Sequence, residues 1–359
     1  ALEHLVLVTA RAGDTTSARR YAERYLALDS AGESAMGVRW RLATIRGDSN
    51  TVRQLARPRT DLAPTSMSVM GWVSLQDGVD VPRGAAMIRA IGEYQAAQGE
   101  AGAYIMLHDL ELLLGHPARA LAMLERFEAQ QGPAPRERLK DALANDGDPA
   151  AADAAVRTLA GDFAKEQLPG QPAGYHVANQ CLVSLWQAVG HDDTTSLRRS
   201  VHRLRTTATL GPGAVSPAMA EYANGCALLL EATAAVRGNA PDAALRLARA
   251  DSVLRRGPAN PLSEFGNPVL ARLWERQGDV GRALAAIRRR PYFLGRAANL
   301  AASLREEGRL AQRAGRDDEA IAAWRHYLAL RAQPEPAFAR EVEGVRAELA
   351  RLEQRAAGS

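Results

Sequence analysis

Apolar residues recur three and four apart in short blocks along this chain, and block after block ends at a glycine. One or two polar residues follow, and a second apolar block opens with an alanine about five residues past the glycine. The clearest copies are Gly13-Asp14 with Ala18, Gly115-His116 with Ala120-Leu121, Gly238-Asn239 with Ala243, Gly278-Asp279 with Ala283-Leu284, and Gly315 to Asp318 with Ala320-Ile321. Weaker copies stand at Gly47-Asp48, Gly78, Gly147-Asp148 and Gly190-His191-Asp192. The pattern has a physical reading. Glycine takes the left-handed conformation that stops a helix, and the Asp or Asn after it caps the next one by accepting a backbone N–H. The alanine lies where two helices cross closely. In the last clear unit, Leu300, Ala301, Leu304, Leu310 and Ala311 suit one face of a first helix, and Ile321, Trp324, Leu328 and Leu330 one face of a second.

Successive glycines lie 34, 31, 37, 32, 43, 48, 40 and 37 residues apart, the length of one helical hairpin. No sustained alternation of apolar and polar residues marks a strand. The predicted fold class is therefore all-α, an α-solenoid of antiparallel helical hairpins. Proline- and glycine-bearing breaks at 57–65, 131–136, 168–174, 205–217 and 256–268 read as loops between hairpins. The expected organisation is one solenoid over residues 1–359 with about eight to nine hairpins; a subdivision, if present, falls near 168–174.

Composition agrees. Of 359 residues, 47% are hydrophobic and only 5% aromatic, with alanine plentiful, which favours closely packed helices over a β-sandwich. The net charge of +4 comes almost wholly from arginine, since Lys140 and Lys165 are the only lysines. A mild excess spread over a long chain is not the basic face of a dedicated nucleic-acid binder. Cys181 and Cys226 are the only cysteines, each within an apolar stretch, and the reading leaves open two buried thiols or a disulfide. No stretch approaches the roughly 20 apolar residues that span a bilayer. The start of the chain shows no export leader, and the compartment expected is the cytoplasm, for this chain alone or as a fragment of a larger, membrane-anchored protein.

On these residues the chain resembles the tetratricopeptide (TPR) repeat family. Gly308, Gly315, Ala320 and Trp324 fall on its 34-residue pattern in the last unit, as do Tyr104, Leu107, Gly115 and Ala120 in an earlier one. Gly13, Asp14, Ala18, Leu26 and Leu28 match in the first. Tyr327, Phe127 and Arg290 depart from it, standing where the family has a small alanine. The stretch from Leu273 to Leu352 also resembles the repeat-bearing C-terminal half of bacterial multidomain signalling proteins. The resemblance implies a helical-repeat fold whose first helices line a groove for protein partners.

Catalytic signatures are missing: no GxSxG, Walker loop, GxGxxG after a strand or HExxH occurs. Gly211-Pro212-Gly213 reads as a turn, and His191-Asp192-Asp193 as a hairpin cap rather than a metal site. Neither a catalytic residue, a metal nor a cofactor is expected. A basic loop, Arg288-Arg289-Arg290 with Arg296 around Tyr292 and Phe293, reads as a plug between units and leaves nucleic acid a minor alternative. Apolar positions such as Ile105, Leu112, Leu113, Leu228, Ala232, Ala235 and Val236 read as helix faces buried against neighbours.

One constellation stands out. Arg305, Arg309 and Arg313 share a face of one helix with Gln312 beside them, and Arg272 and Arg276 hold equivalent places one unit earlier. Such a double ladder presents forked donors to an acidic or phosphorylated partner segment, unless Glu275, Glu306 and Glu307 neutralise it. It resembles the carboxylate-clamp use of these repeats, although the Lys and Asn of that clamp are absent. The expected function is a non-enzymatic protein–protein interaction scaffold, a docking or sensor module of a bacterial signalling protein. The alternative is a small-ligand-responsive regulatory domain of a transcription regulator.

Overall fold

A computed structural model describes residues 2–11, 15–31, 35–46, 48, 51, 64–145, 149–164, 173–190, 194–209, 217–256, 262–289 and 299–358. Among these residues there are eighteen helices and no strand, and the protein is an all-α solenoid of antiparallel hairpins. Its contacts gather into two units. One comprises Ala1–Gly132, Pro291–Gly308 and Asp317–Ser359; the other comprises Pro133–Arg290 and Arg309–Arg316. Residues 168–172 of the stretch where a subdivision could fall lie outside the described residues, as do Gly13, Gly47, Gly147, His191 to Asp193, Gly211 to Gly213 and the loop residues Arg290 to Arg296.

The first unit contains α1 (Leu2–Arg11), α2 (Thr15–Leu28), α3 (Ala35–Ile45), α4 (Pro64–Asp77), α5 (Val81–Ala97), α6 (Gly102–Leu113) and α7 (Pro117–Gln131). Each packs on the next, with α4–α5 and α6–α7 the tightest hairpins. The second unit contains α8 (Pro135–Asn145), α9 (Pro149–Ala164), α10 (Ala173–Gly190), α11 (Thr194–Ala208), α12 (Pro217–Arg237), α13 (Ala243–Arg256), α14 (Leu262–Arg276) and α15 (Val280–Ile287). Helix α16 (Leu300–Arg313) contributes residues to both units; α17 (Asp317–Leu330) and α18 (Pro336–Gly358) belong to the first.

The punctuation works as its chemistry predicts. Gly78, Gly115, Gly278 and Gly315 all have positive φ, and Asp80 and Asp279 cap the helices that follow by accepting from Arg83 N and Arg282 N. One copy departs from the pattern: after α12 the left-handed residue is Asn239 (φ 48°), one past Gly238. Asn tolerates that conformation because its short side chain can bond locally. The alanines of the second helices are sealed, with Ala18, Ala120, Ala283 and Ala320 at 0% exposure. Gly308 explains the close approach of α16 and α17. A Cβ there would fall on the Trp324 indole, whose Nε1 donates to Arg305 O at 3.2 Å.

Long-range docking within the first unit has no sequence signal. The C-terminal hairpin lies against the turns of two early hairpins: His326 Nε2 meets Leu75 O at 2.8 Å, and His116 Nε2 meets Gln333 O at 2.8 Å. Glu335 N donates to Gly115 O at 2.9 Å, and its carboxylate accepts from Ala118 N at 2.7 Å. A partly buried ionic knot sits beneath. Glu341 of α18 accepts from Tyr327 OH and Arg331 Nη1, each at 2.6 Å, and from Arg305 Nη1. Arg331 is 2% exposed and stacks over the Phe338 ring at 3.9 Å.

In the second unit, Cys181 of α10 and Cys226 of α12 form a disulfide with Cα atoms 5.9 Å apart, both fully buried. This resolves the alternative left open by the sequence.

Candidate interaction surfaces

The arginine ladder does lie on one face of α16, but its donors are occupied from within the chain. Arg309 grips Glu275 of α14 with two parallel bonds of 2.6 Å, and Arg313 bonds the same carboxylate. Arg305 is held by Glu341, with Glu306 at 3.7 Å. Arg272 donates to Leu143 O at 3.2 Å, tying α14 to the end of α8. Arg276 is exposed on α14, and Gln312 is half-buried. Two guanidiniums thus share the one Glu275 carboxylate. An incoming anion there has to compete with a bidentate internal partner, whose bonds are the strong charge-assisted kind.

The basic loop is similarly drawn inward where it is described. Arg289 bonds Asp251, which is 3% exposed and also holds Arg255 at 2.6 Å. Burial holds the Arg289 guanidinium below its ordinary pKa, and Asp251 offsets this only in part. The apolar positions on first helices are mostly core: Ile105, Leu113, Ala232, Ala235 and Val236 are all buried.

Open surface of a different kind lies between successive second helices. In the first unit α5 and α7 wall a groove of about 460 Å³ floored by α6. Tyr104, Leu107, Ala96 and Met123 make its apolar lining, while Arg89, Arg119 and Arg126 supply positive charge. Glu111, buried on the floor, is satisfied by Arg89 at 2.7 Å and His116 at 2.6 Å. Glu93 lines the α5 wall, one turn from Arg89.

The second unit repeats this construction. There α11 and α13 wall a groove of about 530 Å³ floored by α12. Leu197, Val201, Ala234 and Ala235 line it, and Arg205 pairs with Glu231 on the floor at 3.0 Å while donating to Asn224 at 2.6 Å. Helix α11 contains no Asp or Glu but carries Arg198, Arg199, His202, Arg203 and Arg205. Of these, Arg198, Arg199, His202 and Arg203 are exposed, without an ion-pair partner among the described residues. Leu204, on the other side, is fully buried. A like-charged pair such as Arg199 and Arg203 costs about 0.2–0.5 kcal/mol at i,i+4 spacing. The basic run was visible in the sequence; its freedom from opposing carboxylates was not.

Among the described residues no group of three or more His, Cys, Asp or Glu could hold a metal ion, and no helix is long and apolar enough to cross a membrane. No family model matches the chain, and no curated protein matches it. Among solved structures, the human IFIT1 dimer with PPP-AAAA is similar over 98% of this chain and 82% of that one, at 14% identity and a TM-score of 0.42.

Proposed function

We propose that this chain is a non-enzymatic interaction scaffold that seats segments of a partner protein in grooves between successive second helices. The observation that carries this reading is the recurrence of one groove design in both units: an apolar floor, a floor carboxylate tied to a wall arginine, and further cations on the rim. Stacked hairpins suit the role because they expose extended surface without a preorganised reaction centre. The volumes are those of a site for a few side chains. The bacterial signalling context rests on the resemblance of Leu273–Leu352 alone. The C-terminal arginines Arg305, Arg309 and Arg313, with Arg272, Arg276 and Gln312, form a secondary contact in this proposal, one in which a partner carboxylate displaces an internal one.

A peptide library displayed against the full chain tests it. Enriched peptides are expected to lose binding when a groove is filled by Ala96→Trp or Ala234→Trp, both half-buried lining positions. A library that yields no binder, or binders indifferent to both substitutions, would overturn the reading.

A further inference from the structure

Resting on that reading, we infer that the α11–α13 groove takes an acidic amphipathic segment of a partner protein, one that sets an apolar side chain on the α12 floor and carboxylates against α11. Three observations select this occupant. The groove is cationic: Arg198, His202 and Arg205 recur at i, i+4 and i+7 on the α11 face that lines it, with Arg246 opposite. Its internal carboxylates are already used, because Glu231 is held by Arg205 and Asp242 by Arg246 at 2.8 Å. Arg198 and His202 are therefore left as donors facing solvent, with Arg199 and Arg203 extending the field along the rim.

The floor is built for a protein segment rather than for nucleic acid. Ala234, Ala235, Leu197 and Val201 offer shallow aliphatic contact, and among the described residues no Phe, Tyr or Trp lines the groove on which a base could stack. Clustered unpaired cations around an apolar floor are complementary to a segment alternating Asp or Glu with Leu or Phe. Such complementarity chiefly sets partner choice and the rate of encounter.

The test uses the full chain and a fluorescent synthetic peptide alternating Glu and Leu, with three comparators: the Lys-for-Glu analogue, a scrambled peptide with its leucines replaced by Ser, and an oligouridine of equal charge. Anisotropy is expected to show binding of the Glu–Leu peptide alone, weakening as salt is raised. Arg198→Glu with His202→Glu should reduce affinity roughly tenfold or more. Arg157→Glu with Arg340→Gln, an equal formal charge change on α9 and α18, should leave it unaltered. Equal binding of the Lys analogue, tighter binding of the oligouridine, or indifference to the α11 reversal each overturns the inference. Should displayed peptides of another chemistry be lost with Ala234→Trp yet keep their affinity in the α11 variant, the scaffold reading stands and only the acidic occupant falls.

A separate observation carries a second inference. The chain has two cysteines in 359 residues, on different helices, and they meet in one buried bond. We infer that the chain matures in an oxidising compartment, in place of the cytoplasm expected from its sequence, because such bonds persist there and are rare in reducing cytosol. The two thiols give up two protons and two electrons to a disulfide-bearing oxidoreductase, whose own disulfide becomes a dithiol. Full chain exported to a bacterial periplasm should resist alkylation after denaturation without reductant. Chain retained in the cytosol should label at Cys181 and Cys226 and melt at a lower temperature. Labelling of the exported chain, or identical melting of the two forms, overturns the inference.

Discussion

Replacing Glu341 with Gln removes one charge from the knot that joins α16, α17 and α18, and the consequence can be worked from its geometry. Glu341 serves three donors: Tyr327 OH, Arg331 Nη1 and Arg305 Nη1. Arg331 is 2% exposed, so its guanidinium has no access to water once its carboxylate partner is gone. Breaking a buried pair from one side costs about 3–5 kcal/mol, since the desolvation of the remaining charge is no longer offset. Glu341 is itself 23% exposed, and water reaching that side places the expected loss near the low end, about 3 kcal/mol. For a unit of this size that is roughly a 6–12 °C fall in melting temperature. Urea unfolding of Glu341→Gln, Arg331→Met and the double variant closes a thermodynamic cycle. The double variant should cost much less than the sum, because Met keeps the packing on Phe338 and Tyr327 while no charge is stranded. Single losses below about 0.5 kcal/mol, or strict additivity, would refute the assignment of the knot as a structural element.

Burial and the bond to Glu341 hold the Tyr327 phenol above its ordinary value of 10.0, so the folded state keeps a proton that the unfolded chain releases. Its contribution is whole below about pH 10 and is lost as pH rises beyond it toward the folded value, and Tyr327→Phe should flatten that alkaline decline in unfolding midpoints. Gly308→Ala drives a methyl into the Trp324 indole and should cost about 1–3 kcal/mol in a melt, with Trp324→Leu relieving it; an unchanged midpoint would deny the close approach. Cys181→Ala with Cys226→Ala releases a bridge spanning 45 residues, for which chain entropy gives an upper estimate of about 4 kcal/mol. Oxidised wild type and the variant sharing one urea midpoint would count against it.

Much of the architecture was legible because it is written locally. A glycine that stops a helix, an Asp that caps the next and an alanine at the crossing act within a few residues, and Gly115 with Ala120 or Gly278 with Ala283 did as their chemistry required. The site was less legible because it depends on what faces what. Arg305, Arg309 and Arg313 do share a helix face, yet their neutralisation by Glu275 and Glu341 comes from other helices, 34 to 38 residues away. The basic run on α11 was equally plain in the sequence, but only the fold shows that, among the described residues, no carboxylate pairs with Arg198 or His202. The pairing of Cys181 with Cys226 likewise depended on α10 packing against α12. Docking of His326 on Leu75, 251 residues apart, leaves no trace in any local pattern.

That docking alters how the first unit must come apart. In an array where each repeat touches only its neighbours, loss can start at a free end and spread one repeat at a time. Here Gln333 and Glu335 clasp His116, Gly115 and Ala118, so a segment synthesised later completes a structure begun some two hundred residues earlier. Hairpins α4 to α7 emerge from the ribosome with those turn groups unmet. A chain cut before Asp317 would expose the Gly78 and Gly115 edges to whatever else is at hand.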